Sequence, residues 1–141
     1  MKKSINFALF YAIAAMAGGV FYREFTKFND FLGTTVLGKV HTHLFLLGMV
    51  MFLIAALFQR NKDFTGYKTY KAFPVIYNAG VCLTAIMMLV RGIAQVSGMA
   101  LSKGADASIS GVAGIGHVLI GTGIILFLIT LKKEANSAKS L

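Results

Sequence analysis

The chain has 141 residues, 57% of them hydrophobic and 13% charged, with a mean hydropathy of +0.73, whereas an ordinary soluble domain carries about 25% charged residues. So few charges cannot cover a water-soluble sphere, which argues against a soluble enzyme. The formal net charge of +9, which in a soluble protein would suggest nucleic acid, has to be read by position first.

Four apolar stretches follow one another, at about 5–22, 36–58, 73–97 and 110–131. Each approaches or exceeds the roughly 20 residues that cross a hydrocarbon core of about 30 Å. The alternation of a barrel strand is missing, so the expectation is all-α: an integral membrane four-helix bundle forming a single transmembrane domain over 1–141. The connectors are too short to hold a folded extramembrane domain, and 132–141 is a short basic tail.

The cations are divided unevenly between the two ends. Lys2, Lys3, Arg60, Lys62, Lys68, Lys71, Lys132, Lys133 and Lys139 fall on one side, against Arg23, Lys27 and Lys103 on the other. The positive-inside rule then puts the N- and C-termini in the cytoplasm of a multi-pass cell-membrane protein. Most of the net charge is absorbed as cytoplasmic edging, and a nucleic-acid partner loses its support. The 59–72 loop is basic enough to touch anionic headgroups of the lipid bilayer. Met1-Lys2-Lys3 and Ala15-Met16-Ala17 imitate a secretory signal with its cleavage site, but the apolar run continues to Tyr22, which favours a retained first helix.

Within the spans the costly residues are few: His41, His43, Arg91, Gln95 and His117, with Lys39 near an end. Counted from the expected helix boundaries, His41, His43, Arg91 and His117 lie about 7 to 11 Å below the outer face, in one layer. One histidine near a helix end is more often a headgroup-level residue, and an arginine there can snorkel. The shared level on helices two, three and four makes the group a candidate site.

Helical geometry separates the two neighbouring histidines, since positions two apart point about 200° away from each other. The His41 face continues through Gly38, Phe45, Gly48, Phe52 and Ala55, and that of His43 through Lys39, Leu47, Val50 and Ile54. Small residues mark close approach of membrane helices, so His41 is the better interior ligand. On helix four, Ala113, Gly114, His117 and Gly121 share a face. Such glycines either serve tight packing or leave a side-chain-free surface for a planar macrocycle, with Gly48, Gly114 and Gly121 as its cradle.

Two imidazoles from different helices are the minimal requirement of a bis-His haem b, a centre suited to electron transfer or to haem handling or sensing. His41 and His117 are the expected iron ligands, His43 a further candidate, and Arg91, Gln95 and Lys39 the expected propionate partners. Copper or zinc on His41, His43 and His117 is the competing cofactor, although i, i+2 spacing on a helix chelates poorly. Cys82, the single cysteine, offers neither a disulfide framework nor a Cys-based metal motif. No nucleophile–base pair or phosphate loop marks a hydrolase or pump, and whether the protein is an enzyme stays open. A reading of another class is a small membrane subunit or scaffold with histidines at the interface and no cofactor. Separately, the Gly-rich faces allow a homodimer, in which a site is shared between chains, or a larger membrane complex.

The stretch Lys39-Val40-His41-Thr42-His43-Leu44 through Gly48 resembles the second-helix motif of the haem-copper oxidase superfamily, in particular nitric oxide reductase and cbb3-type catalytic subunits. That resemblance implies a low-spin haem ligand at His41 and none at His43. The chain departs from the pattern in having four spans rather than twelve and no copper-site histidines, so oxygen or nitric oxide reduction is not implied. As a whole the chain resembles a family of small bacterial four-helix membrane proteins with His-x-His on helix two, here His41-Thr42-His43, and Gly-x-Gly-His on helix four, here Gly114-Ile115-Gly116-His117. That family implies the fold and no activity.

Overall fold

The computed structural model describes residues 1–137, so Lys139 lies outside the described residues. Its helices are α1 (Lys2–Phe28), α2, α3 (Lys68–Val96) and α4 (Lys103–Ser137). The second is continuous but not uniform: Leu37–His43 is α-helical, Leu44–Val50 is π-helical and Met51–Asn61 is α-helical again. All four are long and apolar enough to cross a membrane, and the chain is an all-α four-helix membrane-spanning bundle.

The helices outrun their apolar stretches. Hydropathy marks only the part that hydrocarbon must surround, whereas backbone hydrogen bonding carries a helix on through polar residues. Thus α1 continues beyond 22 to Phe28, and α3 starts at Lys68 rather than 73, with Pro74 inside it. The largest difference is at α4, which begins at Lys103 rather than 110. There the Ser102 hydroxyl accepts from the Ala105 amide at 3.2 Å, the cap that hydropathy does not see.

Neighbouring helices are joined by small residues. Along α1 and α2, Gly38 meets the ring of Tyr22, Gly18 and Gly19 lie against His41, and a Cβ on Gly48 would run into the Tyr11 ring. Between α3 and α4, Gly80 faces Ile120 and the Gly116 carbonyl, Gly116 faces Thr84, and Gly123 faces Tyr77. Close backbone approach of this kind replaces the hydrophobic driving force that lipid removes. The two pairs are held together by α2 on α3, where a Cβ on Gly92 would lie 2.7 Å from the Leu37 nitrogen.

Aromatic rings fill the middle. Phe52 touches Phe7 at 5.0 Å, Tyr11 at 5.9 Å, and Phe73 and Tyr77 each at 5.8 Å, while Phe127 brings α4 in by stacking on Phe73 at 4.9 Å. Polar bonds run between the helices inside this apolar body. The Tyr11 hydroxyl donates to Asn78 Oδ1 at 2.6 Å, and the Tyr77 hydroxyl donates to the Leu47 carbonyl at 2.8 Å. The second bond serves the π-helical turn, whose widened ladder leaves carbonyls in need of donors.

One end of the bundle gathers the N-terminus, the 62–67 connector and the end of α4. Ser4 donates to Gln59 at 3.0 Å, Gln59 bonds the Tyr70 hydroxyl, and Thr69 pairs with Thr130 at 2.7 Å. Glu134 accepts from the Tyr67 hydroxyl at 2.9 Å and pairs with Lys62 at 3.0 Å. The described cations of the basic side expected from sequence therefore share one end of the molecule.

Candidate functional site

His41 sits in the seam between α1 and α2. Its ring lies beside Gly19, whose Cβ would be 3.7 Å from the imidazole Cγ, and its Nδ1 is buried without a hydrogen-bond partner. The stripe expected to face the interior does so: Gly48, Phe52 and Ala55 are buried. The space at Gly48, however, is filled by Tyr11 and offers no flat surface to a macrocycle.

His43 turns the other way, with Nδ1 at 3.0 Å from the Lys39 carbonyl. His117 repeats that arrangement on α4, with Nδ1 at 2.8 Å from the Ala113 carbonyl. A carbonyl only accepts, so in both rings Nδ1 is the donor and Nε2 is the nitrogen left for any other partner, the orientation in which a neutral imidazole binds metals through Nε2. His117 is exposed, and among the described residues nothing approaches within 4 Å of a Cβ on Gly111, Gly114 or Gly121. Its neighbour Gly116, by contrast, is pressed against α3. The small residues of α4 thus divide into a packed edge, Gly116 and Gly123, and an open edge, Gly111, Gly114 and Gly121, with His117 on the open one.

The common layer expected for the ionisable groups is not what the helices form. Arg91 is level with the first turns of α4, where it meets Asp106 and Ser110, while Gly116, next to His117, is level with Thr84. Seven residues of α3 separate those levels, so His117 lies about 10 Å deeper than Arg91. His41 follows Leu37, which is level with Gly92, and by the same count lies about 6 Å above His117. The misplacement comes from the start of α4, which lies seven residues earlier than the apolar run. His41 in the α1–α2 seam and His117 on the outer edge of α4 therefore do not face each other across the bundle.

Two of the three residues expected at haem propionates, Arg91 and Gln95, have protein partners. Arg91 Nη2 is 2.6 Å from Asp106 Oδ1, 2.7 Å from Ser110 Oγ and 3.1 Å from the Asp106 carbonyl. Gln95 Oε1 accepts from the Val36 amide at 2.9 Å and the Thr35 hydroxyl at 3.0 Å, closing the start of α2. Lys39 is exposed and lines a hollow of 200 Å³ with Thr34, Thr35 and Gln95. Among the described residues no group of three or more His, Cys, Asp or Glu is placed to hold a metal ion. The copper or zinc arrangement of His41, His43 and His117 is therefore not assembled by this fold, because the three rings point to three different surroundings.

Sequence reasoning missed the Tyr11–Asn78 bond and the π-helical turn, for which no residue pattern gives a signal. It also missed Asp106 as the partner of Arg91. Ser102 followed by an acidic residue in the first helical turn was the available signal for that pair.

The family model described as Protein of unknown function (DUF2871) matches residues 1–134. Neither a curated protein nor a solved structure matches the chain. The likeness of Lys39 to Gly48 to haem-copper oxidases has no counterpart in these comparisons.

Proposed function

The chain belongs to this DUF2871 family, and from that premise we propose that it is a small membrane subunit or scaffold that works by lateral association of α4 in the bilayer. One observation carries the reading: α4 packs on α3 along one edge and leaves a second edge of small residues, Gly111, Gly114 and Gly121, with nothing within 4 Å among the described residues. Membrane helices use such surfaces to bring backbones together. A two-fold pair of identical chains is the simplest partner, since a stripe of small residues is complementary to itself. The cation asymmetry supports termini in the cytoplasm. The test is self-association of the protein reconstituted at low density in vesicles, followed by energy transfer between labelled copies. Gly114→Leu and Gly121→Leu are expected to abolish transfer while helix content is retained, and transfer unchanged in both variants refutes the reading.

A second reading, b-type haem, is favoured by His117 alone. Its Nδ1 is taken by the Ala113 carbonyl, which leaves Nε2 as the coordinating nitrogen on an edge of open glycines, whereas His41 is enclosed by α1. Pairing through α4 supplies a second His117, and the haem is then shared between copies. Haem-supplemented protein is expected to show a Soret band and split α and β bands on reduction, lost in His117→Ala and kept in His41→Ala. No Soret band, or loss in His41→Ala alone, removes this reading and leaves the scaffold intact.

A further inference from the structure

Three cavities run end to end along the seam of α1 and α2. The first, 390 Å³, lies at the connector end and is lined by Gln59, Arg60, Lys62, Asp63 and Thr65 among others. The second, 330 Å³, shares Arg60 with the first and is otherwise walled by apolar side chains, Ile5, Leu53, Ala56 and Leu57 among them. The third, 250 Å³, shares Ile5 and Leu53 with the second and ends at Ala12 and Met49. A track with a charged mouth therefore passes into an open apolar groove. Along α1 it extends from the first residues of the helix to Ala12, about 15 Å at 1.5 Å per residue, which is the hydrocarbon depth of one leaflet.

The charges at the mouth are uneven in availability. Lys62 is paired with Glu134 at 3.0 Å. Asp63 turns its carboxylate to the Thr65 amide and hydroxyl, each at 2.9 Å, bonds that hold it below the usual carboxylate range. Arg60 is exposed and makes no ion pair among the described residues. It stands where the polar cavity meets the apolar one. A guanidinium at that point presents a planar fork suited to phosphate oxygens. The floor of the track is made by Ala8 and Ala56, both buried, and its cavities are too small for a helix of about 10 Å diameter.

We propose that this seam binds one anionic phospholipid of the leaflet on the N-terminal side, with its phosphate at Arg60 and one acyl chain along Ile5, Leu53 and Ala12. The occupant is identified by the match of a free cation to phosphate and of the groove length to one leaflet. Native mass spectrometry of delipidated protein, titrated with dioleoyl phosphatidylglycerol or dioleoyl phosphatidylcholine, reads the site. Wild type is expected to show a discrete one-lipid adduct that prefers phosphatidylglycerol. Arg60→Gln is expected to lower that preference about fivefold, the effect of one basic residue near an anionic surface. Lys132→Gln, at the same end but outside the track, is expected to leave it unchanged. Leu53→Trp, at an exposed position, blocks the groove without touching the core and is expected to weaken both lipids, as is Ala56→Phe. Inorganic phosphate at millimolar concentration is expected not to compete, since the chain carries part of the binding. Equal loss in Arg60→Gln and Lys132→Gln, full binding of both lipids by Leu53→Trp, or no preference in wild type overturns the proposal.

Discussion

Alanine at Gly116 and alanine at Gly114 are predicted to have opposite effects, although the two positions are a half-turn apart on one helix. A Cβ at Gly116 would lie 3.0 Å from the Thr84 nitrogen and 3.2 Å from the Gly80 carbonyl oxygen, with Thr84 Oγ1 closer still. Two of these three atoms are backbone, so relief requires α4 to move off α3 by a few tenths of an ångström along their shared edge. Overpacking of this kind costs about 1–3 kcal/mol. At Gly114 nothing among the described residues is within 4 Å, and the added methyl gains helix propensity of up to about 1 kcal/mol. The two variants should therefore differ by about 1–4 kcal/mol in unfolding free energy. The assay is loss of helicity on titration of detergent-solubilised monomer with sodium dodecyl sulfate. Thr84→Ala in the Gly116→Ala background removes the nearest contact but not the backbone ones, and should restore part of the loss. Gly116→Ala as stable as wild type, or Gly114→Ala as damaging as Gly116→Ala, would refute the division of α4 into a packed and an open edge.

Tyr11→Phe removes the donor to Asn78 and is expected to cost about 1–2 kcal/mol in the same titration, with Asn78→Leu added to it recovering most of the loss. Gln95→Ala uncaps the start of α2 and should cost about 1 kcal/mol, with faster hydrogen exchange at the Val36 amide as the local readout. Asp106→Asn breaks the pair with Arg91, whose groups are partly exposed, and should cost no more than about 1 kcal/mol, measured by a double-mutant cycle with Arg91→Gln. Protease susceptibility of the 97–102 connector should rise in the same variant.

The four spans were legible because a bilayer imposes length and apolarity directly on the sequence. The His41 stripe was legible too, as its small and aromatic residues have one period and one face. Depth was not. Boundaries drawn from hydropathy put the start of α4 at 110, and the seven missing residues displaced His117 into a layer with Arg91 that the helices do not form. The partner of a glycine was equally hidden, since Gly48, Gly114 and Gly116 are chemically identical in the sequence. Only the packing distinguishes a glycine filled by Tyr11, one left open and one pressed on Thr84. The groove at Arg60 was visible only as a basic loop, because its apolar part is completed only where Ile5 of α1, some fifty residues earlier, comes beside Leu53, Ala56 and Leu57 of α2.

The association claim is tested most directly by disulfide formation in native membranes. In a Cys82→Ser background, single cysteines are placed at Gly114 and Gly121 on the open edge of α4 and at Met16, an exposed position on α1. Oxidation with a lipid-soluble catalyst is predicted to give a covalent dimer from the α4 positions and none from Met16. Monomer at all three positions, or equal dimer yield from Met16, would contradict association through α4.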